Sequence, residues 1–306
     1  MSNNVAVNKL VNEWKRVYIS EKPLAVLEEI DGTYPSMIRK DMNRPSFLLP
    51  EPFYGPFESD MTNDILVLLM NPGEVKEQIK YAPTINASTE ERYTKWDRNN
   101  FLQECGRLDE RWINLHKNSC SPECVLHNHM PDGCRWRRER YREARFDVGL
   151  SFDLLNTMEY IPYHTKKFND LDQNTQNWML DANTTKMAFN AVCEIAENHL
   201  VKHIISLGAA WINIFEAHNY EAIEDITVKN SDNKILGRLI KYQISETALP
   251  IVIHLIPRAV KFPVRPSVVN VMRRMLGEPP LEVFQRNTLD PSDIIQINKI
   301  RKKSKK

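Results

Sequence analysis

Four short runs of apolar residues recur along the chain, and each is followed by a turn and a helical pattern. They occupy residues 65–70, 152–156, 203–208 and 251–257. Continuous apolar runs of this length are typical of strands buried on both faces of a parallel sheet. Strands that alternate with helices predict an α/β fold. We expect a three-layer α/β/α arrangement around a central, mainly parallel sheet of four strands.

The remaining segments predict a division into three parts. Residues 1–60 form a helix over 5–20 and a proline-rich, irregular wrapping arm. Residues 61–285 form the α/β domain, which contains a polar insertion at 82–150 and a hairpin-like region at 220–245. Its last helix is expected to begin at Pro266 and to end at Gly277. Residues 286–306 form a basic C-terminal tail.

The composition is that of an ordinary soluble protein, with 42% hydrophobic and 26% charged residues among 306. No apolar run approaches the roughly 20 residues of a membrane helix, and the N-terminus lacks the features of a secretory signal. Five cysteines, three of them within fifteen residues, suit a reducing compartment. We therefore expect a cytoplasmic protein without membrane contact, and a monomer.

The formal net charge of +1 conceals three cationic stretches. The sequence RWRRERYREAR at 135–145 holds six arginines, RAVKFPVR at 258–265 holds three cations, and NKIRKKSKK at 298–306 holds six. Local stripes of one charge indicate partners better than the net charge does. The first stripe is either a solvated helix face paired with Glu139 and Glu143 or a set of phosphate contacts.

Polar or small residues follow the apolar runs, where an α/β sheet binds its ligands. Asn71, Asn156, Gly208 and His254 are each expected at or just past the end of a strand. Each also has a purely structural interpretation. Asn71 lies in a common Asn-Pro-Gly turn, Asn156 could cap a turn, His254 could be a core histidine, and Gly208 could simply allow a helix to pack tightly on the strand.

The order of these motifs resembles the uracil-DNA glycosylase superfamily over about residues 45–277. The first strand of that family ends in a motif matched by Leu69-Met70-Asn71-Pro72-Gly73, and its mismatch-specific branch carries Asn-Pro-Gly as this chain does. A Leu-Leu-Asn motif is matched at 154–156, and a strand ending in Leu-Gly is matched at 204–208. The nearest match to the histidine of the last strand is His254.

The resemblance implies a monofunctional DNA N-glycosylase that flips a base out of the stack and needs no cofactor for catalysis. Asn71 would orient the attacking water and stabilise the cationic sugar, because an amide is no strong base. Asn156 would bind the Watson–Crick edge of the pyrimidine, and His254 would donate a hydrogen bond to the leaving base. Tyr81 would stack on the flipped base. Glu74 and Asp153 are alternative acids, or else capping or surface residues.

Two departures from the family bear on the substrate. The last motif reads His-Leu-Ile-Pro-Arg at 254–258 in place of His-Pro-Ser. Gly73 replaces the tyrosine that blocks C5 substituents in strict uracil enzymes, so uracil or larger C5-modified pyrimidines are expected substrates. Hypermodified phage bases such as glucosylated hydroxymethylcytosine would then be candidates, and the role could be DNA repair or phage defence.

The loop after the fourth strand is the expected DNA contact. Arg258, Lys261 and Arg265 would bind phosphates of single- or double-stranded DNA. In the family this loop carries a wedge that enters the duplex, and Leu255, Val260 and Phe262 are candidates for it here.

The insertion contains the segment CSPECVLHNHMPDGC, a cluster of thiols and imidazoles. Such spacings suit tetrahedral zinc, with Cys120, Cys124, His129 and Cys134 as ligands and His127 close by. The alternative is a loop of free thiols. A structural zinc is therefore an expectation of the sequence.

Two other functions stay open. A module of the same fold could bind nucleic acid without catalysis, since fold alone does not grant activity. A hydrolase of free nucleosides or nucleotides is a further alternative, and it would be indifferent to the surrounding DNA strand.

Overall fold

A computed structural model describes residues 4–34, 49–55, 57, 60–70, 86–92, 136, 139–164, 168, 171–256, 260–283 and 290–300. Its α-helices are α1 (Val5–Ile19), α2 (Pro23–Asp31), α3 (Gln173–Asp181), α4 (Asn183–Glu197), α5 (Ala210–Ala217) and α6 (Pro266–Met275). A single π-helical turn spans Glu143–Asp147. Within the described part no helix is long and apolar enough to cross a membrane.

One mixed sheet of eight strands runs through the fold, in the order β1-β3-β2-β4-β7-β6-β5-β8. The strands are β1 (Phe53–Tyr54), β2 (Ile65–Leu69), β3 (Leu155–Glu159), β4 (His203–Leu207), β5 (Ala222–Lys229), β6 (Ile235–Tyr242), β7 (Ile251–Leu255) and β8 (Ile294–Ile297). The α/β class is therefore confirmed. The sheet is larger than the expected four strands, because an antiparallel hairpin and two short strands extend it.

The chain forms two compact units that run across the predicted boundaries. The first comprises Met1–Asp60, Met70–Arg137 and Asn156–Ile195, and the second comprises Met61–Leu69, Arg138–Leu155 and Ala196–Lys306.

The first unit contains α1, α2, α3, most of α4 and the β1–β3 pair. The predicted helix α1 buries one face, formed by Val7, Leu10, Val11, Trp14, Val17 and Tyr18. The segment after it was expected to be irregular, but Pro23 begins helix α2, since proline is favoured in a first helical turn. The carboxylate of Asp31 at the end of α2 accepts hydrogen bonds from the Thr184 backbone N–H and hydroxyl, both at 2.8 Å. Asp31 thereby caps the start of α4.

The second unit contains the parallel strands β2, β4 and β7. Leu68 lies beside Ser206, and Leu207 lies beside His254, in parallel register. These strands are almost wholly apolar and buried, as their sequences predict. Helix α6 begins at Pro266 and is followed by Gly277, whose φ of +79° marks the end that the sequence predicts.

Three antiparallel pairings extend this unit beyond β7. Strand β6 pairs with β7, the predicted hairpin forms the β5–β6 pair, and β8 pairs with β5. Strand β8 lies within residues that the sequence assigns to a basic tail. All four of its residues are exposed, so no burial pattern marks it in the sequence.

Candidate functional site at the carboxyl ends of the parallel strands

The carboxyl ends of β2, β4 and β7 are tied together in the second unit. The Gly208 N–H donates to the carbonyl oxygen of His254 over 3.0 Å, and the Trp211 indole N–H donates to the carbonyl oxygen of Leu69 over 2.9 Å. Three neighbouring strands and the start of α5 are thus fixed at one edge, where open α/β sheets bind ligands.

Gly208 leaves this edge open. It lies directly after β4 with a φ of +105°, which side-chain-bearing residues rarely adopt. A Cβ at Gly208 would meet no atom of the described residues within 4 Å. A ligand could therefore approach the backbone here closely.

Asn71 follows Met70, the residue after β2, but it lies outside the described residues. The same is true of Gly73, Tyr81, Arg258 and Glu74. The roles expected of these residues stay predictions. Because β2 and β4 run parallel, the end of β2 lies at the same edge of the sheet as Gly208.

His254 is the fourth of five residues in β7 and is 1% exposed. Its Nδ1 lies 2.9 Å from the carbonyl oxygen of Lys261. A carbonyl oxygen only accepts, so Nδ1 carries the proton and Nε2 of the neutral ring has none. Burial lowers the pKa of His254 to about 4, so the ring is neutral at physiological pH.

The Nε2 atom of His254 is buried and has no hydrogen-bond partner among the described residues. A Cβ built on Gly237 would lie 3.3 Å from this nitrogen and 2.8 Å from a methyl carbon of Val268. The ring is therefore packed tightly against β6 and α6. An unprotonated Nε2 cannot donate to a leaving base, so the donor role expected of His254 gains no support from this geometry.

The contact that His254 does make holds the loop after β7. Three consecutive residues of this loop are fixed by buried groups. His254 binds the Lys261 carbonyl, Arg140 donates to the Val260 carbonyl, and the Phe262 N–H donates to Glu143 over 3.1 Å. His254 acts here as a structural anchor of the predicted DNA-contacting loop.

We expect His254 to make the protein less stable in acid. The folded pKa of about 4 lies below the usual histidine value of about 6.5. The neutral His254 ring therefore stabilises the fold fully above pH 6.5. As the pH drops towards 4 and below, the free energy of unfolding should fall by about 3 kcal/mol. Chemical denaturation at several pH values should show a shallower acid loss for His254→Asn, whose amide can still reach the Lys261 carbonyl. Equal acid losses in both proteins would contradict the assignment.

Within its described residues, the same loop has two cations that are at least partly exposed and one exposed apolar side chain. Lys261 is half-buried and Arg265 is exposed. Among the candidate wedges, Val260 is 47% exposed, whereas Phe262 is fully buried. Phe262 is a core anchor, and Val260 is the side chain that is free to reach a ligand.

The arginine stripe has at least one structural member. Arg140 and Glu143 are both buried, and the guanidinium and carboxylate are joined by contacts of 3.0 and 3.1 Å. Arg140 therefore holds the fold and does not contact phosphate. The pairing of Arg140 with Glu143 agrees with the structural alternative in the sequence analysis, but the pair is buried and does not lie on a solvated face.

Asn156 belongs to the first unit, and its position corrects the sequence analysis. It is the second residue of β3 and not the end of a strand. The strand continues to Glu159, because Tyr54 and Phe53 of β1 pair with Thr157 and Met158. The predicted run of 152–156 ends at Asn156, but the strand does not.

Gly55 lies directly against the amide of Asn156. A Cβ built on Gly55 would lie 2.2 Å from Oδ1 of Asn156, and the φ of Gly55 is +137°. Asn156 itself is 1% exposed. The amide is thus held in a space that only glycine permits.

Several buried polar residues near β3 escaped the sequence analysis. Glu51 is 8% and Glu159 is 4% exposed, and the Tyr54 hydroxyl donates to Glu51. The imidazole of His164 lies 3.9 Å from the Glu51 carboxylate. In the sequence, the burial of these residues is indicated only by Glu159, a glutamate inside the apolar segment TMEYIP. By contrast, the side chain of Asp153 is exposed.

The expected zinc ligands Cys120, Cys124, His129 and Cys134 lie outside the described residues, as does His127. Within the described ranges, no group of three or more histidine, cysteine, aspartate or glutamate side chains could hold a metal ion. The structural zinc stays a prediction of the insertion sequence.

Comparison with known proteins finds no matching family model, no matching curated protein and no matching solved structure. The resemblance to the glycosylase superfamily therefore depends on the short motifs alone. What the fold adds is the arrangement of the strands that carry them.

Proposed function

We propose that the chain is a monofunctional DNA glycosylase of the uracil-DNA glycosylase type, which removes a flipped-out pyrimidine. The supporting observation is the open edge beside Gly208. There β2, which leads directly into Asn71, lies next to β4 in parallel register. The switch from strand to helix at such an edge is the usual ligand position in α/β sheets.

The proposed reaction breaks the bond between the sugar C1′ and the base nitrogen. The bonding electrons leave with the base as an anion, and water adds to C1′ and loses a proton. Asn71 would orient this water and stabilise the positive charge on the sugar. Asn156 would supply a donor and an acceptor for the pyrimidine edge.

The departing anion needs a stabilising group other than His254, whose Nε2 carries no proton in the neutral tautomer. Helix α5 begins at Ala210, immediately after the open Gly208. The amino end of a helix favours negative charge, because its first N–H groups point outward. A negative charge bound at the edge beside Gly208 would therefore be stabilised by this end of α5.

The proposed substrate is uracil or a pyrimidine with a C5 substituent, because Gly73 stands where strict uracil enzymes have a blocking tyrosine. Lys261 and Arg265, together with Arg258, would contact phosphates. Binding of DNA should therefore weaken as salt is raised.

The decisive experiment measures abasic sites by hot-alkali cleavage of oligonucleotides. The panel holds uracil, thymine opposite guanine, hydroxymethyluracil, hydroxymethylcytosine and glucosylated hydroxymethylcytosine. We expect cleavage of at least one, and a fall of about 100-fold or more for Asn71→Ala. Asn174→Ala, at an exposed asparagine of α3, is the matched control and should keep full activity.

The other outcomes identify the alternatives. No cleavage across the panel with salt-dependent DNA binding would replace the enzyme by a nucleic-acid-binding module. Release of base from free nucleosides at the same rate as from DNA would indicate a nucleoside hydrolase. If plain uracil is removed and every C5-modified base is left in place, the role proposed for Gly73 is wrong.

A further inference from the structure

The outer edge of strand β8 carries an exposed apolar surface that the proposed reaction does not use. Ile294, Ile295 and Ile297 are 50%, 54% and 77% exposed. Within the described part of the chain, β8 is the last strand of the sheet and pairs on one side only, with β5. It contains no proline, charge or bulge, which are the devices that normally protect such an edge.

The register of β8 shows which backbone groups face outward. The Asn298 N–H donates to the Asp225 carbonyl oxygen of the neighbouring segment over 2.8 Å. In an antiparallel pair, successive residues point their N–H and C=O groups alternately towards and away from the partner. The even-numbered residues therefore face β5, and Ile295 and Ile297 present their backbone groups to the free edge.

The side chains of the two outward-bonding residues share one face. Ile295 lies opposite Val228, and Ile297 lies opposite Ile226. Both β5 residues are buried, whereas the two isoleucines beside them are not. An additional strand next to β8 would continue this apolar face.

We propose that a second copy of this chain occupies the edge, through antiparallel pairing of the two β8 strands about Gln296. In this register each Ile295 lies opposite Ile297 of the other copy. The backbone N–H and C=O groups of Ile295 then face those of Ile297 in the other copy, so the two residues can exchange both hydrogen bonds of an antiparallel pair. The interface is isologous, as a two-fold dimer requires.

The charges that flank β8 favour a second copy over an unrelated strand. The same register sets Asp293 opposite Lys299 of the other copy. Opposite charges facing each other across a strand pair stabilise it, and like charges destabilise it.

Asp293 already has one partner, since it accepts a hydrogen bond from the Ser267 hydroxyl over 2.5 Å. This bond holds the start of β8 near α6 and uses one carboxylate oxygen. The second oxygen can accept from a lysine, because a carboxylate accepts several hydrogen bonds. A contact limited to one strand per copy is small, so the dimer should be reversible and dependent on concentration.

Sedimentation velocity of the full chain over a range of concentrations tests the proposal. We expect the wild type to move from monomer to dimer as concentration rises. Ile295→Lys should weaken the dimer about tenfold or more by placing like charges at the centre. Val283→Lys, at a residue that is 80% exposed and outside β8, is the matched control and should dimerise like the wild type.

Charge exchange tests the register itself. Lys299→Asp and Asp293→Lys should each weaken the dimer. The double variant recreates the opposite pairs in reversed order, so it should dimerise more strongly than Asp293→Lys alone, although both lack the bond from Ser267. Circular dichroism checks that each variant is folded. A wild type that stays monomeric overturns the proposal, as does a dimer that ignores Ile295→Lys or a double variant that dimerises no more strongly than Asp293→Lys. None of these results depends on glycosylase activity.

Discussion

Replacing Arg140 with alanine should lower the free energy of unfolding by about 3–5 kcal/mol, the usual cost of unpairing a buried ion pair. The Arg140 Nε lies 3.0 Å from a carboxylate oxygen of Glu143, and its Nη2 lies 3.1 Å from the other. Without the guanidinium, Glu143 keeps the Phe262 N–H as a donor but loses its opposite charge. The Val260 carbonyl loses its donor as well.

The pH dependence of this variant gives a sharper signature than its stability at one pH. Burial raises the pKa of Glu143, and the nearby Arg140 opposes that rise. Removing Arg140 should raise the pKa of Glu143 further. A carboxyl whose folded pKa lies above its unfolded value loses stability as the pH rises through that interval. The loss caused by Arg140→Ala should therefore be larger at pH 8 than at pH 5.

A surface ion pair supplies the control. Arg274 contacts Glu224, but its side chain is 56% exposed, so Arg274→Ala should cost less than about 1 kcal/mol. Chemical denaturation of both variants at two pH values measures the difference. The double change Arg140→Met with Glu143→Leu should recover much of the loss, because it leaves no buried charge. Equal costs for Arg140→Ala and Arg274→Ala would show that the buried pair contributes no more than the surface pair.

The parallel core could be predicted because its strands are buried on both faces. The apolar runs of β2, β4 and β7 follow directly from that burial, and Pro266 and Gly277 delimit α6 correctly. Strands β1 and β8 could not be predicted in the same way. The first is only two residues long, and the second is exposed on both faces, so neither leaves a periodic signal.

The roles of the candidate site residues depend more on tertiary contacts than on the local sequence pattern. The tautomer of His254 is set by the carbonyl of Lys261, seven residues further along. Arg140 looks like one cation of a stripe until its burial against Glu143 is known. Asn156 ends an apolar run, but pairing with β1 places it inside a strand. Spacing along the chain predicts the pairing of Arg140 with Glu143 but not its burial, and it predicts neither of the other two contacts.

Gly55 is the clearest example of such a contact, and Gly55→Ala should both destabilise the first unit and displace the Asn156 amide. The new Cβ would lie 2.2 Å from Oδ1 and 2.6 Å from Cγ of Asn156. The φ of +137° adds backbone strain of about 1–3 kcal/mol. Relief of the overlap by local shifts adds a similar amount. We expect a total loss of about 3 kcal/mol or more in the free energy of unfolding.

Gly32→Ala separates the two causes. Gly32 also has a positive φ, of +80°, but a Cβ there would meet no described atom within 4 Å. Its substitution therefore reports backbone strain alone. Thermal and chemical denaturation of the two variants should show the larger loss at Gly55, and the difference measures the contact with Asn156.

A double-mutant cycle connects this contact to the base-binding role proposed for Asn156. Asn156→Ala removes Oδ1 and Cγ, so adding Gly55→Ala to it should cost clearly less than adding Gly55→Ala to the wild type. Under the proposed function, Gly55→Ala alone should impair base excision as strongly as Asn156→Ala, whereas Gly32→Ala should leave it unchanged. Additive stability losses would mean that Gly55 does not position the amide. Retained excision in a folded Gly55→Ala protein would remove Asn156 from the proposed site.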